Sequence, residues 1–216
     1  MGWSGDDHGA RRRGYHHGNL REALMQAALD LISAKGAAGF SFAEVARAAG
    51  VSPAAPYRHF RDRDDLMAAI ALRGFERFEA ELDAAWGNGR PAASAAFERV
   101  GKAYLAFARA EPAYYAAMFE AGVPLAPHPE LQAASERAFG VLVKAAEALV
   151  AGMPKERRPP ILMMALHIWS LSHGIAALFG RGDGARRSLP MSAEDLLEAG
   201  VLVYLRGLGI GGEDAR

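Results

Sequence analysis

Apolar residues recur at intervals of three and four along most of the 216-residue chain, and that spacing predicts helices throughout. Leu20, Ala23, Leu24, Ala27, Leu31 and Ile32 form one stripe behind Asn19, which has the chemistry of a helix cap. Gly36 and Gly39 then make a loop before Phe40. Phe42, Val45, Ala46 and Ala49 form a shorter stripe opened by Ser41 and Glu44, which stand at capping-box spacing. Gly50 supplies a left-handed stop, Val51 can tuck into the angle, and Ser52-Pro53 restarts a helix with a hydroxyl cap and a proline that needs no amide donor. Phe60 returns to the core nine residues after Val51, so residues 41–60 read as two short helices joined by a tight turn, a helix-turn-helix.

A further helix opens with Asp64 and Asp65 and carries Met67, Ala71, Phe75, Phe78 and Leu82 on its apolar side. Beyond the break at Gly87-Asn88-Gly89-Arg90-Pro91, candidate helices cover 92–110, 112–120, 129–151, 155–179 and 192–206, each bounded by Pro or Gly. No alternating strand pattern and no repeat is present. The predicted fold class is all-α, with an amino-terminal three-helix helix-turn-helix domain followed by a carboxy-terminal helical domain.

Composition narrows the function classes. The chain has no cysteine, which excludes a disulfide scaffold, a thiolate zinc site and a cysteine nucleophile. Net charge is zero, yet residues 8–63 carry nine Lys or Arg against four Asp or Glu. The basic part coincides with the helix-turn-helix, which is the electrostatic footprint of a nucleic-acid binder. The first seven residues lack a basic start and an apolar run, so a secretory signal is not expected and the cytoplasm is the expected location. Residues 1–18 read as a basic arm in which Arg11, Arg12 and Arg13 fit either a groove-following segment or a plain basic tail. His8, His16 and His17 lack a suitably spaced carboxylate, so no metal is expected, and no cofactor is expected either. Neither a nucleophile elbow nor a phosphate loop appears, so an enzyme is not expected.

Candidate chemistry concentrates on Tyr57, Arg58 and His59, which project from the second helix. A guanidinium can approach a guanine edge or a phosphate, while a phenol and an imidazole suit phosphate oxygens. The pattern from Leu20 to Asp65, above all Ser41 to Glu44 and Val51 to Phe60 followed by Arg61-Asp62-Arg63-Asp64-Asp65-Leu66, resembles the amino-terminal domain of the TetR family of transcriptional regulators. That resemblance implies a homodimer whose residues 19–65 bind double-stranded palindromic operator DNA and whose residues 66–216 dimerise and bind a small-molecule effector. It places Pro53, Ala54 and Ala55 against bases, Tyr57 and His59 on phosphates, Arg58 on base or backbone, and Arg63 on a phosphate. Ser41 and Ser52, the two capping hydroxyls, complete the DNA-facing candidates. Pro56 stands where family members usually carry a helix former such as leucine; its missing amide is expected to bend the start of the helix slightly.

The carboxy-terminal half is dense in rings and thioethers, which suit an adaptable apolar cavity. Tyr104, Phe107, Tyr115, Met118, Phe119, Phe139, Met163, His167 and Trp169 are the candidate effector contacts, though for any one of them core packing is the stronger reading. The segment Trp169-Ser170-Leu171-Ser172-His173-Gly174 resembles the Trp-His-Gly motif of one TetR subgroup. His173 reads as a buried structural histidine, and His167 is open. Residues 161–179 form an apolar run of nineteen, long enough to cross a membrane, but two histidines, two serines and a glycine argue against it. Burial on two sides explains the run equally well, so this helix and the last one are expected to form a four-helix interface between two subunits.

Overall fold

The computed structural model describes residues 20–180 and 190–210, which hold eight α-helices, three short 3-10 turns and no strand. The amino-terminal head consists of α1 (Leu20–Lys35), α2 (Phe42–Ala48) and the first turns of α3 (Arg63–Trp86). The rest of α3 enters a body made with α4 (Ala93–Ala110), α5 (Pro112–Phe119), α6 (Pro129–Val150), α7 (Ile161–Phe179) and α8 (Ala193–Gly207). The expected basic arm, Asn19 and the three amino-terminal histidines lie outside the described residues.

Each head element follows from its local chemistry. Ser41 caps α2 by accepting from the Glu44 amide at 3.3 Å, and the Glu44 carboxylate accepts from the Ser41 amide at 2.8 Å, which closes the predicted box. Lys35 at the end of α1 reaches the other Glu44 oxygen at 2.6 Å and so ties the two helices together. Gly50 ends α2 with φ 71°, and the Val51 amide bonds back to the Ala46 carbonyl at 2.9 Å. Beneath this frame Leu24, Ile32, Phe40, Val45, Phe60, Leu66 and Ile70 are buried in one core. Each such side chain contributes about 1.5–3 kcal/mol by leaving water.

From Ser52 to Phe60 the chain departs from the predicted α-helix. The Ala55 amide bonds to the Ser52 carbonyl (2.9 Å), the Arg58 amide to Ala55 (3.2 Å) and the His59 amide to Pro56 (2.9 Å), and only Pro56–Arg58 is helical, as a 3-10 turn. Pro56 is the cause. It has no N–H to offer the Ser52 carbonyl four residues back, so the backbone tightens to three-residue bonds instead of bending slightly, and only at its end does the Phe60 amide make a four-residue bond, to the Pro56 carbonyl at 3.0 Å. A second difference is the helix expected over 155–179, which divides into a 3-10 turn at Lys155–Arg157 and α7 from Ile161. Pro159 and Pro160 separate them, because neither donates an amide and each restricts the residue before it. The other helices begin and end within a residue of expectation.

α3 is opened by the Asp62 carboxylate, which accepts from the Asp65 amide at 2.8 Å. Its buried residues run from Leu66 to Trp86, because its start packs on α1 and its remainder on α4, α5 and α6. Arg73 of α3 grips Glu22 of α1 through two bonds of 2.6 and 2.7 Å, and this holds the Glu22 carboxyl below its ordinary range. Arg77 pairs with Glu111 just before α5, and Arg137 of α6 with Glu79 at 2.9 Å.

Two outcomes test this description. A Cβ added at Gly39 would run into the Lys35 carbonyl oxygen, so Gly39→Ala must push backbone apart; urea unfolding should show a loss of roughly 1–3 kcal/mol. The Lys35 ammonium, with the Ser41 amide and hydroxyl, holds the Glu44 carboxyl down at about 2 from an ordinary 4.5. A depressed carboxyl stabilises the fold fully above its unfolded value and less as pH falls through the folded one. Thermal melts of wild type and Glu44→Gln should therefore differ at neutral pH and converge as pH falls from about 4.5 to about 2.

Candidate functional site

The tight turn presents a polar surface on a buried footing. Pro56 and Phe60 point inward, whereas Ser52, Pro53, Ala54, Tyr57, Arg58 and His59 are exposed and Ala55 is half-buried. Tyr57 is 62% exposed, yet its ring stands edge-on to Phe42 at 5.0 Å, which fixes the direction of its hydroxyl. Arg21 of α1 lies over the Phe60 ring at 5.1 Å and braces the turn from behind, a role that periodicity did not signal. Among the other DNA-facing candidates, the exposed Ser41 spends its hydroxyl on the capping box. The Arg63 guanidinium lies 4.8 Å over Phe40, bonds to the Ala37 carbonyl and stands 3.5 Å from Asp64. Arg63 therefore joins the α1–α2 loop to α3 in the free protein.

A second candidate site lies in the body. Phe78 of α3 is its centre, with ring centroids of Tyr104 at 5.0 Å, Phe107 at 4.9 Å, Trp169 at 6.3 Å and Phe119 at 6.4 Å. Tyr115 stands 4.9 Å from Phe119, and Phe139 stands 5.4 Å from Trp169. Six of the nine expected effector contacts thus meet in one cluster: Tyr104, Phe107, Tyr115, Phe119, Phe139 and Trp169. Met118 flanks it, with its sulfur 2.7 Å from where a Cβ on Gly74 would stand. Phe75 and Phe78 belong to the cluster although the sequence marked them only as part of the α3 stripe.

Met163 and His167 do not join the cluster. The buried face of α7 is Met164, Ala165, Ile168, Ser172, Ile175 and Ala176, and positions 163 and 167 fall on the exposed side. There the His167 Nδ1 lies 3.1 Å from the Tyr204 hydroxyl of α8. Leu162, Met163, Leu166 and Leu178 of α7, with Leu202 and Val203 of α8, leave large apolar side chains in the open, Val203 at 72% exposure.

His173 turns inward. Its Nδ1 is 3.0 Å from the Tyr104 hydroxyl and 2.8 Å from that of Tyr115. Burial pushes the Tyr115 phenol up to about 12 and the Tyr104 phenol further, and it lowers the imidazole, so all three groups are uncharged near neutral pH. Two of the cavities bear on this arrangement, and neither lies in the cluster. One of about 320 Å³ runs between α4, α7 and α8 over Phe97, Ile168, Leu197 and Val201. The other, about 480 Å³, separates the head at Arg21, His59 and Arg61 from the start of α6 at His128 and Glu130. Among the described residues no group of three or more His, Asp or Glu could hold a metal ion.

Comparison with known proteins agrees with both halves of this description. Residues 24–70 match the family described as bacterial regulatory proteins, tetR family, and residues 97–204 match the tetracyclin repressor-like, C-terminal domain. The HTH-type transcriptional regulator AcrR of Shigella flexneri is 38% identical over 61 residues, which span 28% of this chain and only 28% of that protein. A protein with unknown function from Rhodococcus sp. RHA1 superimposes with a TM-score of 0.72 at 31% identity, over 90% of this chain and 98% of the other. The TetR family transcriptional regulator PfmR from Thermus thermophilus superimposes at 0.66 with 20% identity, over 85% of this chain and 97% of its own. With its head and half of its length matched by family models and its fold shared along almost the whole chain, the protein belongs to the TetR family.

Proposed function

We propose that this protein is a ligand-responsive transcriptional repressor that acts as a homodimer on a palindromic operator. The observation that carries the reading is the exposed Ser52 to His59 surface, held on the buried Pro56 and Phe60 within a TetR fold. In this reading Arg58 meets a base edge or the backbone, Tyr57 and His59 take phosphates, and Pro53, Ala54 and Ala55 lie against bases. Ser41, Ser52 and Arg63 stand at the rim of the same surface. Arg63 exchanges a bond to the Ala37 carbonyl for a phosphate when DNA is present.

A twofold partner would cover the exposed apolar residues of α7 and α8, which also accounts for a nineteen-residue apolar helix without a membrane. Two heads about 34 Å apart then match successive major grooves. The inducer is a small apolar or aromatic molecule that enters the cluster around Phe119, Phe139 and Trp169. It favours a conformation in which α3 has moved and the heads no longer match that spacing. Only a difference in affinity between the two conformations drives release. The cytoplasm, where operator DNA resides, is the proposed location, and no cofactor is required.

Fluorescence anisotropy on duplexes selected from a randomised pool tests the operator reading. Wild type should select a palindrome, with affinity falling steeply as salt rises. Arg58→Ala should weaken specific binding by roughly 1–3 kcal/mol while leaving the melting temperature unchanged. Absence of any selected sequence removes the reading. Light scattering tests the pairing: wild type should have twice the chain mass at micromolar concentration, and Leu166→Glu should be monomeric, because it buries an unpaired charge in the interface.

A further inference from the structure

We propose that His173 is the polar contact of the effector site, where its Nε2–H donates to an uncharged carbonyl oxygen on an otherwise apolar ligand. The proposal deepens the ligand-responsive reading above and rests on it.

The direction of the imidazole follows from its neighbours. Tyr104 and Tyr115 both bring a hydroxyl within 3.0 Å of Nδ1. That nitrogen has a single in-plane position for either a lone pair or a hydrogen. Were it to carry the hydrogen, it would donate to a phenol oxygen, and one of the two phenol hydrogens would be left without an acceptor in the group. With Nδ1 as acceptor, the Tyr115 hydroxyl donates to it and the Tyr104 hydroxyl donates to the Tyr115 oxygen, so every group is satisfied. The ring hydrogen then sits on Nε2. Nε2 has no partner among the described residues, which leaves its hydrogen as the one that a ligand can take. The two tyrosines therefore turn His173 into a fixed outward donor.

The surroundings choose the acceptor. Tyr115 stacks on the imidazole at 5.7 Å and Phe119 stands edge-on at 5.0 Å; Trp169 lies one turn earlier on α7. This wall suits an apolar or aromatic body. A donor-only headgroup such as an ammonium finds no acceptor at Nδ1, which is already occupied. A carboxylate would meet the field of Glu120, the acidic group whose charge reaches the ring, in a place where burial already disfavours the imidazolium. A ketone, ester or amide carbonyl meets neither objection. The same geometry assigns a purpose to the histidine of the Trp-His-Gly segment.

A matched series tests this on the full-length protein: methyl phenylbutyrate, phenylbutyrate, phenylbutylamine and butylbenzene, each titrated against tryptophan emission. The ester should bind about tenfold more tightly than each of the other three, as expected for one buried hydrogen bond. His173→Asn keeps an amide where Nδ1 met the tyrosines but has nothing at Nε2, so it should melt like wild type and lose the ester preference. His173→Gln places an amide N–H near the outward position and should restore the preference. A purely structural histidine gives the reverse pattern, with Asn harmless to every ligand, and overturns the proposal. Equal binding of amine and ester, or binding of none of the four by protein that still selects its operator, overturns it too. If the ester binds as described yet leaves operator affinity unchanged, His173 keeps its role and the inducer reading falls.

Discussion

One helix runs through a single hydrophobic core that spans the head and the body, and the rest of the structure is arranged around that constraint. Leu66, Met67 and Ile70 of α3 are buried with the head, while Phe75, Phe78 and Leu82 are buried with the body. An α-helix has no soft joint between such positions, since every intervening amide is bonded within it. Any shift that the body imposes on Phe78 is therefore felt at Ile70, about two turns away, and at the turn that Phe60 anchors beside it. The bidentate Glu22–Arg73 pair adds little stability as an exposed bridge, but it obliges α1 to follow α3.

The joint on the other side is looser. Between the head and the start of α6 lies a polar cavity of about 480 Å³ instead of packed side chains. A close-packed contact there would resist movement, whereas a polar gap lets the head pivot on α3 at small cost. The molecule thus joins its two halves along α3 and where α1 packs on α5, and leaves a polar gap at the start of α6.

Much of this arrangement was legible in the residues. Capping residues and stop signals act locally, so Ser41, Glu44, Gly50, Asp64 and Asp65 placed the ends of α2 and the start of α3 without tertiary information. The helical periods were equally plain. The reading turn was harder, because Ser52-Pro53 is a strong start signal and Pro56 removes a donor only if an α-helix would otherwise have formed. Pro159 and Pro160 break the helix just before the long apolar period of α7 begins. In α7 the period itself is uninformative: a helix apolar nearly all round does not say which side faces inward, so nothing along the chain separates Met163 and His167 from Trp169, although they lie on the exposed side. Polar partnerships between distant segments, such as His173 with Tyr104 and Tyr115, have no signature along the chain at all.

The tightness of the Pro56 turn bears on how an operator would be selected. A full α-helix laid in a groove offers several turns of side chains to successive base pairs, but three residues of 3-10 geometry expose only a short arc. Direct contacts would be confined to a few base pairs in each half-site. Discrimination beyond them would come from the bendability and groove width of flanking sequence, which a protein senses as deformation energy without touching the bases. A regulator built this way tolerates many substitutions at single operator positions and is sensitive to changes that stiffen the duplex or alter half-site spacing.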